Sequence, residues 1–348
     1  MSTLRGTEEL SLHGFEEPNF VSKTEYNNFR NQYSATLTRR RSRWDSQVVT
    51  DRLERTNQFK RFCRKGIPPS NRSEMWMVLS GAKFRMKDNP HVYRVAASKQ
   101  PIQKLLSVIL ADLPRTYPEN IRFRDENSPK SLIPSLKRVL SAFAVQFPHI
   151  GYCQGMNYIT AILLLVVSGH GEEAEEKAFW LLDALVNHIL PSYYADDMVS
   201  VRRDCMVLGQ LLRSKDRAVY EMIEKSGANF TMLCAKWFIC IYADVLPIET
   251  TLRIMDCLFY EGEKILFRAG ITLIRLHRTQ LLECEDFPVL LTAFRNMCRD
   301  SQTLQCHEFL RVSRCTTSCA MFRLPGSLPR SKIWKLRERC EVQLYANR

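Results

Sequence analysis

A short polar turn, Gly151-Tyr152-Cys153-Gln154-Gly155, precedes the most apolar run of the sequence, Tyr158 to Val167. The two glycines permit tight backbone conformations and the close approach of another surface. The apolar run predicts a buried helix, so Gln154 would be presented from a rigid support. A carboxamide can both donate and accept hydrogen bonds.

A second candidate group follows a predicted helix from Ile102 to Leu113, whose apolar residues recur with the period of an amphipathic helix. Arg115 comes just after this helix, and Asp112 lies three residues earlier. That spacing lets the carboxylate orient the guanidinium. Considered singly, each group also has a structural interpretation: Arg115 could simply pair with Asp112, and Gln154 could satisfy backbone groups in its turn.

Other kinds of active site find less support in the sequence. Cys153 could act as a nucleophile with His149 or His188 as its base, but these histidines are available only in principle. A Gly-x-Ser-x-Gly elbow, a phosphate-binding loop and a Gly-x-Gly-x-x-Gly fingerprint are absent. We therefore expect no bound nucleotide or other cofactor of the chain's own.

The twelve cysteines are scattered through apolar stretches and include no Cys-x-x-Cys pair. Cys306 and His307, with Cys315 and Cys319, have a spacing that matches no standard zinc finger. We expect reduced structural thiols and no metal site.

The chain of 348 residues predicts an all-α protein, built as layers of packed helices in two halves. A break at Gly66 to Pro69 is followed by Asn71 and Glu74, a capping-box pattern that predicts a helix start. On that helix Arg72 and Trp76 share a face and could stack. Further helices are predicted at Trp44–Lys65, 131–147, 177–190, 199–212, 217–225, 230–246, 248–260, 263–282, 287–300 and 304–311.

The net charge of +13 is concentrated at the two flanks of the sequence. Residues 36–66 hold ten Lys and Arg against three acids, and residues 310–348 hold nine against two, so each segment carries +7. These flanks suit an anionic membrane or an acidic partner. They lack the aromatic interleaving of a nucleic-acid reader, so no nucleic acid is expected as a partner.

No secretory signal or bilayer-spanning run is evident in the sequence, which predicts a cytoplasmic protein, with peripheral membrane contact through the basic flanks.

Taken in order, the motifs resemble those of the TBC domain of Rab GTPase-activating proteins. The resemblance is carried by Gly66-Ile67-Pro68 with Arg72-x-x-x-Trp76, by Ile109-x-x-Asp112-x-x-Arg115, and by Tyr152-x-Gln154, and it continues through Trp237-Phe238, Leu246-Pro247, Arg253-Ile254-Met255-Asp256 and Glu261-Gly262. It covers roughly residues 64 to 290. Met255 departs from the family, which usually has Trp there.

The resemblance implies an activator that contributes catalytic groups to another protein, and not an enzyme in its own right. Arg115 would be an arginine finger, and Gln154 would replace the glutamine that orients water in the GTPase. Asp112, Tyr152, Arg72, Trp76 and Ile109 would be supporting residues. The partner would be a GTP-bound Rab GTPase, which would bring GTP and Mg²⁺ with it. The alternative is a helical adaptor that binds Rab proteins or membranes without catalysis.

The expected organisation has four segments. Residues 1–35 are read as a mostly flexible lead-in, residues 36–65 as a basic helical flank, residues 66–290 as the TBC domain and residues 291–348 as a helical and basic tail.

Overall fold

The computed structural model describes residues 11–46, 56–167, 169, 171–195, 197–312 and 328–346. In this part of the chain the regular elements are helices, and the β contact there is an isolated bridge between Phe15 and Asn120. The predicted all-α class is confirmed. The α-helices are α1 (Lys23–Asp45), α2 (Asn57–Lys65), α3 (Pro69–Leu79), α4 (Ala82–Asp88), α5 (Val92–Ala97), α6 (Gln103–Asp112), α7 (Ile133–Gln146), α8 (Met156–Val167), α9 (Glu172–Asp183), α10 (Val199–Arg213), α11 (Arg217–Lys225), α12 (Phe230–Ile239), α13 (Ile248–Glu261), α14 (Lys264–Leu276), α15 (Arg278–Leu282), α16 (Phe287–Asn296), α17 (Ser301–Leu304), α18 (Cys306–Val312) and α19 (Arg330–Ala346).

Two compact units make up the chain, as the prediction of two helical halves requires. The described residues of the first unit lie within Met1–Val48 and Pro68–Ala184, and those of the second lie within Val49–Ile67 and Leu185–Arg348.

Helix α8 lies at the centre of the first unit, where α3, α7 and α9 pack against it. All of its residues except Tyr158 are buried. An unbroken apolar sequence is stable as a helix when neighbouring helices cover every side of it. The predicted buried helix behind the polar turn is therefore confirmed.

The amino-terminal segment differs from the expected flexible lead-in. Helix α1 begins at Lys23 with a capping box between Ser22 and Glu25. Tyr26, Phe29 and Tyr33 are buried on it, and their i, i+3, i+7 spacing gives one helical face. This aromatic stripe orders the segment despite its polar composition. Residues 1–10 lie outside the described residues.

The predicted helix from Trp44 to Lys65 is interrupted. Helix α1 ends at Asp45, and Thr56 has an extended backbone, from which its side chain caps α2. The cap prediction at Asn71 is also wrong, because α3 already begins at Pro69 with Pro68 at its N-cap. Proline suits the first helical position, since its missing N–H would have no partner there.

Helix α13 forms the centre of the second unit, and Glu249 to Glu261 are all buried. Arg64 of α2 is bound through two 2.5 Å hydrogen bonds to Glu261. The backbone N–H of Ile67 donates to Asp256 at 3.0 Å, and Arg253 donates to the Arg64 carbonyl at 2.7 Å. These motif residues therefore fix the segment that precedes α3. Met255, on the same helix, is fully buried.

The predicted helix over 230–246 ends early, at Ile239. Ile241, Tyr242 and Asp244 then adopt positive φ values of 52°, 62° and 55°. Such values are uncommon outside glycine, and residue types alone did not indicate this turn. In the described part of the chain, no helix combines the length and apolarity needed to cross a bilayer.

Candidate functional site

Arg115 ends a short 3₁₀ turn, Leu113–Arg115, that continues directly from α6. Its guanidinium donates to Oδ1 of Asp112, the last residue of α6. The Asp112 side chain is 1% exposed, whereas that of Arg115 is 49% exposed. The carboxylate is thus fixed within the fold, and the cation it holds faces outward.

Gln154 is exposed in the turn that precedes α8. The flanking glycines have φ values of +63° at Gly151 and +109° at Gly155, both in the region that favours glycine. A Cβ at Gly151 would lie 3.1 Å from the side chain of Leu105 on α6. Glycine therefore serves both the conformation of this turn and its close packing against α6.

Tyr152 makes the first link between the two segments. Its hydroxyl donates to Oδ2 of Asp112 at 2.5 Å, so one carboxylate binds both Arg115 and Tyr152. Burial is the main reason that the pKa of Tyr152 lies well above its usual range, and the hydrogen bond to Asp112 raises this pKa further. The phenol therefore stays neutral and remains a hydrogen-bond donor at physiological pH.

A second link runs through two residues that the sequence analysis missed. Asn157 donates to Thr116 Oγ1 at 2.8 Å, and Thr116 donates to the Asp112 carbonyl at 2.7 Å. The side-chain oxygen of Asn157, Oδ1, accepts from the Gly155 N–H at 3.0 Å. Thr116 and Asn157 are fully buried. Their signal in the sequence was an asparagine immediately before the apolar run and a threonine beside Arg115.

Tyr158 provides a third link, because its hydroxyl donates to the Arg115 carbonyl at 3.2 Å. Its ring meets Tyr117 edge to face, with centroids 5.3 Å apart. Tyr117 has a positive φ of 50° and packs in turn against Phe15 of the amino-terminal segment. The backbone from the Arg115 carbonyl to Tyr117 is thus held by the start of α8.

The remaining predicted supporting residues belong to the core of the first unit. Ile109 is fully buried on α6, and Arg72 and Trp76 are buried on successive turns of α3. Arg72 lines a cavity of about 560 Å³ together with Ser11–Gly14 and Leu164–Val166. The stacking of Arg72 on Trp76 stays a prediction.

The geometry gives no support to Cys153 as a nucleophile. Burial, and then the charge of Asp112, raise the pKa of its thiol, which disfavours the reactive thiolate. His149 lies against the ring of Phe147 instead.

The described residues contain no cluster of side chains suited to a metal ion. In that part of the chain, His307 Nδ1 lies 2.8 Å from Arg253 and 3.5 Å from the Cys306 sulfur. Cys315 and Cys319 lie outside the described residues.

Comparison with protein families adds a match over residues 69–282 to the Rab-GTPase-TBC domain. Human growth hormone-regulated TBC protein 1 is 40% identical over 337 residues, which cover 97% of this chain and 96% of the human protein. The yeast GTPase-activating protein MSB4 (Saccharomyces cerevisiae) is 31% identical, over 80% of this chain and 64% of the yeast protein.

Solved structures agree with these matches. The RabGAP TBC domain from the Chlamydomonas flagellum superposes with a TM-score of 0.76 at 27% identity, covering 88% of this chain and 100% of that domain. The Ypt/Rab-GAP domain of Gyp1p gives a TM-score of 0.68 at 18% identity, covering 80% of this chain and 97% of that domain. At that identity the second match supports the fold alone.

Proposed function

The chain belongs to the Rab-GTPase-TBC domain family, and from that premise we propose that it accelerates GTP hydrolysis by GTP-bound Rab GTPases. Arg115 supplies positive charge to the phosphoryl group in the transition state, and Gln154 holds the attacking water. The chain acts as an activator, and GTP and Mg²⁺ arrive with the GTPase.

The observation that carries this proposal is that one buried polar network joins the two backbone segments from which the exposed side chains of Arg115 and Gln154 project. Asp112 binds both Arg115 and Tyr152, two residues before Gln154, and the Thr116–Asn157 pair joins the same two segments. Groups that must meet one phosphate need fixed relative positions before the partner binds. The network provides that fixation through one nitrogen of the Arg115 guanidinium, and it does not use the Gln154 side chain.

The chemistry of the two side chains fits these roles. A guanidinium is always charged and presents forked donors that match phosphoryl oxygens. Arginine fingers in GTPase activation contribute about 10³ to 10⁵ in rate. Glutamine can accept from water while donating to a neighbouring oxygen, which glutamate and leucine cannot do.

The proposal places the activator at the surface of intracellular membranes, and contact with anionic lipid through the basic flanks is part of it. The two flanks together carry +14, against a net charge of +13 for the whole chain. A basic surface near an anionic leaflet gains about 1 kcal/mol per Lys or Arg.

Single-turnover GTP hydrolysis with a panel of purified Rab proteins tests the proposal. We expect the wild-type chain to accelerate hydrolysis by at least one Rab, and Arg115→Ala to abolish most of that acceleration. Arg94→Ala is the matched control, because Arg94 is an exposed arginine of the first unit that pairs with Glu172. Rab binding without any acceleration would instead support the non-catalytic adaptor.

A further inference from the structure

Helix α19 of the second unit has one face that packs against the protein. Ile333 and Cys340 are each 1% exposed, and the helix packs against α10. Arg337 donates to both carboxylate oxygens of Asp204, at 2.8 and 2.6 Å, and the Asp204 side chain is fully buried. This ion pair and the apolar contacts fix which side of α19 faces outward.

The outward side of α19 combines aromatic, aliphatic and basic side chains. Trp334 is 61% exposed, Val342 70% and Tyr345 54%, and at 100° per residue the three lie within about 80° of one another. Lys332, Lys335 and Arg339 are exposed and extend the same arc to about 160°. Glu338 is the acidic residue of that arc, so the face carries an excess of two positive charges.

We propose that this outward face of α19 binds an anionic lipid surface. Indole and phenol rings favour the level of the lipid headgroups, where an apolar body and a polar group are both accommodated. Lysine and arginine beside them can reach the phosphates, and their stems cover apolar surface. Rings and cations on one side of a helix can therefore contact the headgroup region together, and each Lys or Arg near an anionic leaflet contributes about 1 kcal/mol.

The spacing of charges on α19 disfavours a protein groove as its partner. A helix that binds in a groove needs apolar anchors on successive turns, at i, i+3 or i+4, and i+7. Counting from Trp334, the i+4 and i+7 positions are Glu338 and Glu341. A symmetric contact with a second copy would bring the basic face against itself, which like charges oppose.

The inference specifies the membrane contact of the proposed function and rests on that part of it, but it does not depend on GTPase activation. Co-sedimentation of the full chain with vesicles tests it directly. We expect binding to vesicles that contain phosphatidylserine, weak binding to phosphatidylcholine alone, and a decrease in binding as salt is added.

Substitutions on the outward face test whether α19 is responsible for the vesicle binding. Removing one basic residue should weaken vesicle partitioning about fivefold, so Lys332→Glu with Lys335→Glu should lower it more than tenfold. Trp334→Glu should also lower it several-fold. Lys87→Glu with Lys99→Glu is the charge-matched control on the first unit, and Met232→Glu is the control for an exposed apolar residue. Both controls should retain wild-type binding.

Other outcomes would overturn the inference. It fails if the wild type does not prefer phosphatidylserine, or if the α19 variants and the controls bind equally. It also fails if light scattering shows a concentration-dependent dimer of the wild type that Trp334→Glu abolishes. GTP hydrolysis with soluble Rab, measured on the same preparations, keeps the two proposals separate: vesicle binding without activation would reject only the catalytic function.

Discussion

Tyr152 donates a 2.5 Å hydrogen bond to the buried carboxylate of Asp112. The other oxygen of that carboxylate binds Arg115, so the two signature segments share an anion that is 1% exposed. A buried carboxylate needs hydrogen-bond donors on both oxygens to offset its loss of hydration. The stability of the site and its proposed activity therefore depend on the same atoms.

Tyr152→Phe should remove one of these donors without creating a cavity. We expect a loss of about 1–3 kcal/mol in the free energy of unfolding, because the lost hydrogen bond is to a charged group. GTPase activation should fall about tenfold, mainly in kcat, because Asp112 then holds Arg115 less firmly. Chemical denaturation and single-turnover kinetics measure the two effects. Wild-type values in both would exclude the role given to Tyr152.

Arg115→Ala should lower the rate of activated hydrolysis by about 10³-fold or more. Arg115→Lys should recover little of this loss, because an ammonium lacks the planar fork. Because Arg115→Ala also removes one donor from the buried Asp112 carboxylate, the free energy of unfolding should fall by about 1–3 kcal/mol. An Arg115→Ala protein as active as the Arg94→Ala control would reject the arginine-finger assignment.

Gln154→Ala should reduce activation by about 10²-fold, the typical effect of removing one positioned hydrogen-bonding group from a transition state. Its side chain is exposed, so stability should stay within about 0.5 kcal/mol of wild type. Gln100→Ala is the matched control, an exposed glutamine between α5 and α6. Equal hydrolysis rates for the two variants would show that Gln154 does not act on the partner.

Asn157→Ala should reduce both stability and activation, although Asn157 is fully buried. The change leaves Thr116 without a donor and the Gly155 N–H without an acceptor, at a cost of at least about 2 kcal/mol. Thr160→Val is the control one turn later, because Thr160 Oγ1 has no hydrogen-bond partner among the described residues. Its stability and activation should match wild type, and similar losses in both variants would indicate a general packing effect.

Alkaline pH should destabilise the protein in part through Tyr152. Burial raises its pKa above the ordinary value of 10, so above pH 10 the unfolded chain loses a proton that the folded chain keeps. The stabilising effect is complete below pH 10 and decreases as pH rises, by about 1.4 kcal/mol per pH unit for each such tyrosine. Urea denaturation across this range should show a shallower loss for Tyr152→Phe. An unchanged slope would contradict this linkage.

Much of the architecture could be predicted from the sequence, because apolar periodicity reports burial directly. Helix α8 follows from its uninterrupted apolar run, and α11 has the predicted bounds, Arg217–Lys225. The early end of α12 could not be predicted in this way, because it results from the backbone conformation of the residues that follow Ile239. Positive φ values at Ile241 and Tyr242 are imposed by surrounding packing, which no local pattern contains.

The candidate site was predicted to a similar extent. The pairing of Asp112 with Arg115 was expected from their spacing, and a hydrogen bond joins them. That Tyr152 donates to the same carboxylate was not predicted. Thr116 and Asn157 were missed because their hydrogen bond spans 41 positions of the sequence. A polar residue inside an apolar helix shows that a partner is needed, but only the fold identifies that partner.

The packing of the amino-terminal segment determines which recombinant fragments keep the contacts near Arg115. The family match starts at residue 69, yet Phe15 packs against Tyr117, and the Asn120 amide donates to the His13 carbonyl at 2.9 Å. A recombinant fragment of residues 69–282 would lose these contacts beside Arg115, and it would also lose Arg337, which neutralises the buried Asp204. Contacts that hold buried groups thus extend beyond the matched segment on both sides, and under the proposed function a fragment of residues 69–282 should activate hydrolysis less than the full chain does.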